Sequence, residues 1–224
     1  MTKDQQTVYD LLVEHPEVYG QMLGFTDLKE LHGKWLREML LSDRDITIQA
    51  HRGSYKTTCL CIFLAEAIML HGDKNIIFLR KTQDDVQEVV RQVSRILQHE
   101  VTQTCYLALT GHPLEIVKAS QTDITTSAYS SPRGASQLMG IGIGGSITGK
   151  HADIIVTDDI VNAKDRFSKA ERDRTKDFYQ ELQNIRNRGG RIVNTGTPWH
   201  KEDAFMIMPE AEKYTCYETG LISK

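Results

Sequence analysis

Lys56 and Thr57 close the segment His51-Arg-Gly-Ser-Tyr-Lys-Thr-Thr, and Asp158 and Asp159 end the hydrophobic run Ile154-Ile-Val-Thr. An amine, a hydroxyl and two carboxylates are the side chains needed to handle a polyphosphate. A phosphate chain carries several negative charges, so it needs backbone N–H groups, a lysine and a magnesium ion converging where a strand turns into a helix. The first segment offers the amides of Arg52, Gly53, Ser54, Tyr55, Lys56, Thr57 and Thr58, the lysine charge, and the Thr57 hydroxyl for the metal. The second offers Asp158 as a further magnesium ligand and Asp159 as the base that orients an attacking water. The chemistry open to this set is hydrolysis of a nucleoside triphosphate, with ATP and Mg²⁺ as the expected ligands.

The usual phosphate-loop pattern is Gly, four residues, then Gly-Lys-Ser/Thr. Here Ala50 and Tyr55 stand at both glycine positions. Glycine tolerates positive φ and close backbone approach, whereas an aromatic residue at positive φ is strained. Each half of the site therefore has a bland reading: Lys56-Thr57 as an ordinary helix start, the two aspartates as a solvated acidic loop. Their order along the chain, with a strand before the lysine and a helix after it, favours one site. Asp159 stands where a glutamate is more usual, and is one methylene shorter. Phosphoryl transfer also needs positive charge on the migrating group. Arg52, inside the loop, is the first candidate. Arg133 and Lys150, flanking a glycine-rich stretch, are alternatives that could reach a neighbouring copy, or they are plain surface charges.

Elements that could position these groups are read from hydrophobic spacing. In residues 1–45, Val8, Leu11 and Leu12 form one helical face, and Leu28, Leu31, Trp35, Leu36, Met39 and Leu40 another, which predicts two helices. Residues 45–50 read as a strand, 57–71 as a helix with Leu60, Phe63, Leu64, Ala67 and Ile68 facing inward, 75–80 as a buried strand and 83–99 as a helix. The βαβα alternation calls for a parallel sheet. Three β-rich pieces, at 105–109, 114–118 and 123–128, are close enough to pair antiparallel at one edge. Gly140 to Gly149 read as a mobile loop; Gly140-x-Gly142-x-x-Gly145 matches a dinucleotide fingerprint by letter but lacks both a leading strand and a following phosphate-facing helix. Residues 154–157 form a central strand, 168–188 a long helix and 191–195 a further core strand.

With 224 residues, 40% hydrophobic and 25% charged, the chain has the composition of one globular α/β domain, and no apolar run approaches the ~20 residues of a membrane span. A net charge of −3 argues against a protein that coats nucleic acid, though not against local contact. The N-terminus lacks a secretory leader, and Cys59, Cys61, Cys105 and Cys216 show no metal spacing, so all four are expected to be unpaired.

Taken together, these segments resemble the ATPase domain of the large terminase subunit, which packages DNA into tailed bacteriophage capsids. The likeness is carried by the arginine-bearing loop at 51–58, by Ile147-Thr-Gly-Lys-His-Ala-Asp-Ile-Ile-Val-Thr-Asp-Asp, and by Asn194-Thr-Gly-Thr-Pro-Trp-His. It extends over residues 28–205. The resemblance implies a RecA-like P-loop ATPase fold with N-terminal helices and an antiparallel edge. It divides the chain into a helical extension packed on the core (1–45), the ATPase core (46–208) and the start of a linker (209–224). It implies that Thr195, Gly196 and Thr197 couple the γ-phosphate state to domain movement. It also implies double-stranded DNA, the portal of the procapsid and a small terminase subunit as partners, homo-oligomers on the portal, and the host bacterial cytoplasm as location. A nuclease domain normally comes next in this family, and none is expected here. The competing readings are a helicase-like remodelling ATPase and a nucleotide-binding assembly module without hydrolysis.

Overall fold

The first 45 residues form three helices rather than two: α1 (Lys3–Val13), α2 (Pro16–Met22) and α3 (Glu30–Leu41). Pro16 accounts for the extra break, because a proline at the first helical position lacks an N–H that would be unsatisfied anyway and cannot continue the preceding helix. The computed structural model describes residues 1–209, 211–217 and 220–223. After α3 come β1 (Ile46–Ala50), α4 (Lys56–Leu70), β2 (Ile76–Arg80) and α5 (Gln83–Gln98), close to the expected bounds. α4 departs from the one-sided stripe that its spacing suggested. Cys59, Leu60, Cys61, Ile62, Phe63 and Leu64 are all buried, and a helix apolar on every side belongs inside the molecule. It lies under the sheet and against α3 and α5.

Two further expectations are corrected. Residues 105–109 are not a strand but part of α6 (Glu100–Thr110). The His99 ring accepts from the Val101 amide at its start, Gly111 closes it in the left-handed conformation, and Thr102, Cys105 and Tyr106 are buried at i, i+3 and i+4. The glycine-rich stretch is not all loop. Gly140 and Gly142 lie in β5 (Leu138–Gly142), a strand beside β2, and irregular backbone begins only at Ile143. Glycine is needed there for close packing, since a Cβ on Gly140 would fall 2.3 Å from a Val86 methyl of α5. The dinucleotide fingerprint still fails on the second of its two expected defects, since no helix separates β5 from the next strand, β6 (Ala152–Asp158).

β3 (Ile116–Ala119) and β4 (Asp123–Thr126) form the antiparallel edge. The long helix expected at 168–188 is α8 (Lys169–Ile185), preceded by a short α7 (Ala163–Phe167), and each is opened by its own side-chain cap, Ser168 and Asn162. Residues 186–188 already belong to β7 (Arg186–Gly196). β8 (Ala211–Tyr217) and β9 (Gly220–Ser223) continue the sheet beyond β1.

The protein is thus α/β, with a nine-stranded sheet in the order β3-β4-β5-β2-β6-β7-β1-β8-β9. Pairing is parallel from β5 through β8 and antiparallel at both edges. Period-2 alternation sends neighbouring residues to opposite faces. Phe78, Ile154, Val156 and Val193 join α3, α4 and α5 on one side, and Ile77, Leu79, Ile155 and Ile192 join Phe178, Tyr179 and Leu182 of α8 on the other. The helices before β1 share the first of these cores, through Leu12, Trp35 and Leu36. With both faces covered, what the central strands leave open is their ends. No described helix is long and apolar enough to cross a membrane.

Candidate active site

β1 ends at Ala50, and the chain loops through residues 51–55 into α4. Tyr55, at the second missing glycine, sits at φ 58°, ψ 17°, the left-handed conformation that the standard loop reserves for glycine. Its side chain is turned to the N-terminal helices. The phenol donates to Asp27 Oδ2 at 2.8 Å, and the ring meets His32 edge-on at 5.8 Å. His32 is itself fixed, since Nδ1 accepts from the Lys29 amide at 2.8 Å and the ring packs edge-on against Trp35 at 5.3 Å. Burial pushes the His32 pKa down, so this anchor is neutral. The strain of a tyrosine in that conformation is therefore held by contacts outside the loop.

Lys56 opens α4 and is buried. Its ammonium donates to the carbonyls of Ala50 at 2.8 Å and His51 at 2.7 Å. Burial lowers its pKa, and the Asp159 and Asp158 carboxylates oppose that shift. Ser54 is also buried, its hydroxyl donating to His51 O at 2.7 Å. One residue after the lysine, the Thr57 hydroxyl donates to Asp158 Oδ2 at 3.0 Å. The loop and the acidic strand, far apart in sequence, are in direct contact.

Asp158 ends β6 and is fully buried. Oδ1 accepts from the Thr195 hydroxyl at 2.7 Å, while Oδ2 also faces the Arg80 guanidinium, whose Nε is 3.2 Å away. Asp159 comes next with φ 45°, its amide bonded to Thr195 O at 3.1 Å. Its carboxylate lies 4.0 Å from Arg80 Nη2. Burial first, then the Asp158 charge, raises the Asp159 pKa, against Lys56, Arg80 and the Thr197 amide. A carboxylate with a raised pKa is a stronger base.

β7 lies between β1 and β6, so its end falls between the two halves of the site. Thr195 holds Asp158, and two residues on the Thr197 hydroxyl donates to Ala50 O at 2.9 Å. Gly196 between them admits no side chain, for a Cβ there would stand 2.8 Å from the Phe205 ring and 3.2 Å from Asp159 Oδ1. Just beyond, Trp199 carries the Arg52 guanidinium, 4.6 Å above its ring. Arg52 is thus tied to the segment after Thr197.

Other candidates lie elsewhere. Arg133 and Lys150 line a cavity of about 490 Å³ with Asn75, Ile76, His151 and Asn187. These residues mark the beginnings of β2, β6 and β7, whereas the loop and the aspartates sit at strand ends. β6 alone spans seven residues, whose end-to-end rise at ~3.3 Å per step is about 20 Å. Neither Arg133 nor Lys150 lies at the corner where the 51–57 loop meets the two aspartates. In the helical segment beside the loop, Trp35 is packed inside and Gln21 donates to Leu28 O at 2.7 Å. Phe25 lines a second cavity, of about 480 Å³, shared with Thr57, Thr58 and Arg80.

Arg80 is the member that the sequence reading missed. The signal was present: a charged residue directly after the buried run Ile76–Leu79, at the carboxyl end of a parallel strand, where open α/β sheets bind ligands.

The donor set suits magnesium, which takes oxygen ligands, keeps several waters and uses one or two protein groups plus substrate phosphates. Thr57 and Asp158 present a hydroxyl and a carboxylate 3.0 Å apart, and no cluster of three or more His, Cys, Asp or Glu that would suit another metal occurs among the described residues.

No family model matches the chain, and no curated protein does. Among solved structures, the chain is similar to the large terminase ATPase domain of Thermus phage P74-26, in a point-mutant form, at 12% identity and a TM-score of 0.43. The match covers 72% of this chain and 63% of that one, less than two thirds of its length. At that score the likeness carries no weight for function.

Proposed function

We propose that this chain is an ATP-hydrolysing motor domain of the terminase type, coupling hydrolysis to movement of double-stranded DNA into a capsid. The observation that carries the hydrolytic part is the Thr57 hydroxyl on the Asp158 carboxylate at 3.0 Å, which brings the lysine-bearing loop and the acidic strand into one corner. The packaging part rests on the resemblance of the segments at 51–58, 147–159 and 194–200, and with it come the portal, the small subunit and assembly as a ring of copies.

In this reading Lys56 exchanges its two backbone carbonyls for the β- and γ-phosphate oxygens, and loop amides hold the rest of the chain. Thr57 and Asp158 hold Mg²⁺, which when bound neutralises charge on the phosphates. Asp159 accepts a proton from a water whose oxygen forms a bond to the γ-phosphorus. The bond from that phosphorus to the β–γ bridging oxygen breaks, leaving ADP and inorganic phosphate. Arg52, released from Trp199, adds positive charge to the γ-phosphoryl group, and the Thr195-Gly-Thr197 segment carries the change to the rest of the protein.

Turnover of ATP by the wild-type chain, Lys56→Ala and Asp159→Asn tests the assignment. Both variants should lose activity by about 100-fold or more; unchanged rates in both would end it. Stimulation by portal rather than by nucleic acid alone separates packaging from helicase-like remodelling.

A further inference from the structure

Arg80 is the last residue of β2, behind four apolar residues and beside the end of β6. Its side chain is only 15% exposed, and its ion-pair partners are the two aspartates, at 3.2 Å to Asp158 and 4.0 Å to Asp159. The cations expected from the sequence are occupied otherwise: Lys56 holds the carbonyls of Ala50 and His51, and Arg52 lies over Trp199. Asp158 Oδ2, which faces Arg80, is the same oxygen that accepts from Thr57. Arg80 therefore points at the corner where the hydroxyl, both carboxylates and the start of α4 converge.

We propose that Arg80 is a catalytic residue of this site, in addition to Lys56 and Asp159; the inference rests on the triphosphatase reading. A guanidinium offers five N–H donors in a fixed fork. One faces Asp158 and another is too far from Asp159 for a full bond, so the fork keeps donors for phosphate oxygens. Arg80 also lines the cavity of about 480 Å³ beside Thr57 and Thr58, which leaves its head room to turn. Thr57 and Asp158 would hold the divalent cation, whose charge would weaken the hold of that carboxylate oxygen on the guanidinium. Arg80 would then be free to turn from Asp158 to the γ-phosphoryl oxygens. There it offsets the negative charge that shifts as the bond to ADP breaks, so its contribution is larger in the transition state than in the bound ground state.

The test compares the full chain with Arg80→Gln and Arg80→Lys. Steady-state ATP turnover is measured together with calorimetric binding of a non-hydrolysable ATP analogue in Mg²⁺ and with thermal melting. In Arg80→Gln, kcat should fall by about 100- to 1000-fold, while analogue affinity stays within about threefold. Arg80→Lys should regain part of the rate, since it keeps charge but loses the fork. Wild-type kcat in Arg80→Gln overturns the proposal. So does loss of analogue binding and of melting temperature together in both variants, the mark of a purely structural ion pair. Absence of turnover in the wild-type chain overturns the triphosphatase reading itself, whereas turnover that Arg80→Gln retains overturns this inference alone.

Discussion

Glu66 sits in the middle of α4 with no exposed surface, and neither carboxylate oxygen has a hydrogen-bond partner among the described residues. Burial drives its pKa well above the ordinary 4.5, so the fold holds the acid protonated where the unfolded chain would release the proton. The folded state then binds more protons than the unfolded one, and stability falls as pH rises from 4.5 toward the folded pKa. The slope is about 1.4 kcal/mol per pH unit while the acid stays protonated. Glu66→Gln keeps the shape and a neutral polar head but has no proton to lose. Urea unfolding of both proteins at about pH 5 and pH 7 reads the difference directly. The variant should gain on the wild type from the lower pH to the higher, by at most about 1.4 kcal/mol per pH unit. A difference that is the same within about 0.5 kcal/mol at both would refute the idea of a neutral acid locked in α4.

Two other substitutions probe the loop. Tyr55→Gly relieves a left-handed conformation worth roughly 1–2 kcal/mol and removes the hydrogen bond to Asp27, worth roughly 0.5–1.5 kcal/mol. Unfolding free energy should therefore move by no more than about 1.5 kcal/mol, while titration with an ATP analogue should show tighter binding by about threefold or more; equal affinity would show that the tyrosine does not limit the loop. Trp199→Ala removes a cation–π contact worth about 0.5–1 kcal/mol at an exposed arginine. Nucleotide should bind about two- to fivefold more tightly as Arg52 is freed, and the gain should vanish in the Arg52→Ala background, measured as a double-mutant cycle.

The layered fold was legible because β2, β6 and β7 are apolar runs of strand length between helical patterns, and both of their faces are covered. Residues 105–109 misled because Cys-Tyr-Leu-Ala-Leu has strand composition, and only the caps at His99 and Gly111 identify the helix. β5 was hidden because glycine is a loop signal unless a neighbouring helix presses on the strand, as Val86 does on Gly140. In the site, the meeting of Thr57 with Asp158 was expected from types and order. Arg80 was not, since one basic residue after a strand has no motif of its own. Nor did spacing show that Tyr55 could be held by Asp27 and His32, tertiary neighbours from the N-terminal extension expected to pack on the core.

The carbonyls that Lys56 occupies each have a second donor. Ala50 O also accepts from the Thr197 hydroxyl, and His51 O from that of Ser54. If the proposed triphosphate draws the ammonium away, neither oxygen is orphaned, so the move would strand no buried acceptor and would avoid that desolvation penalty of about 1–3 kcal/mol. Under that reading the lysine is on loan to the backbone, and two small hydroxyls are the standby that would let it leave.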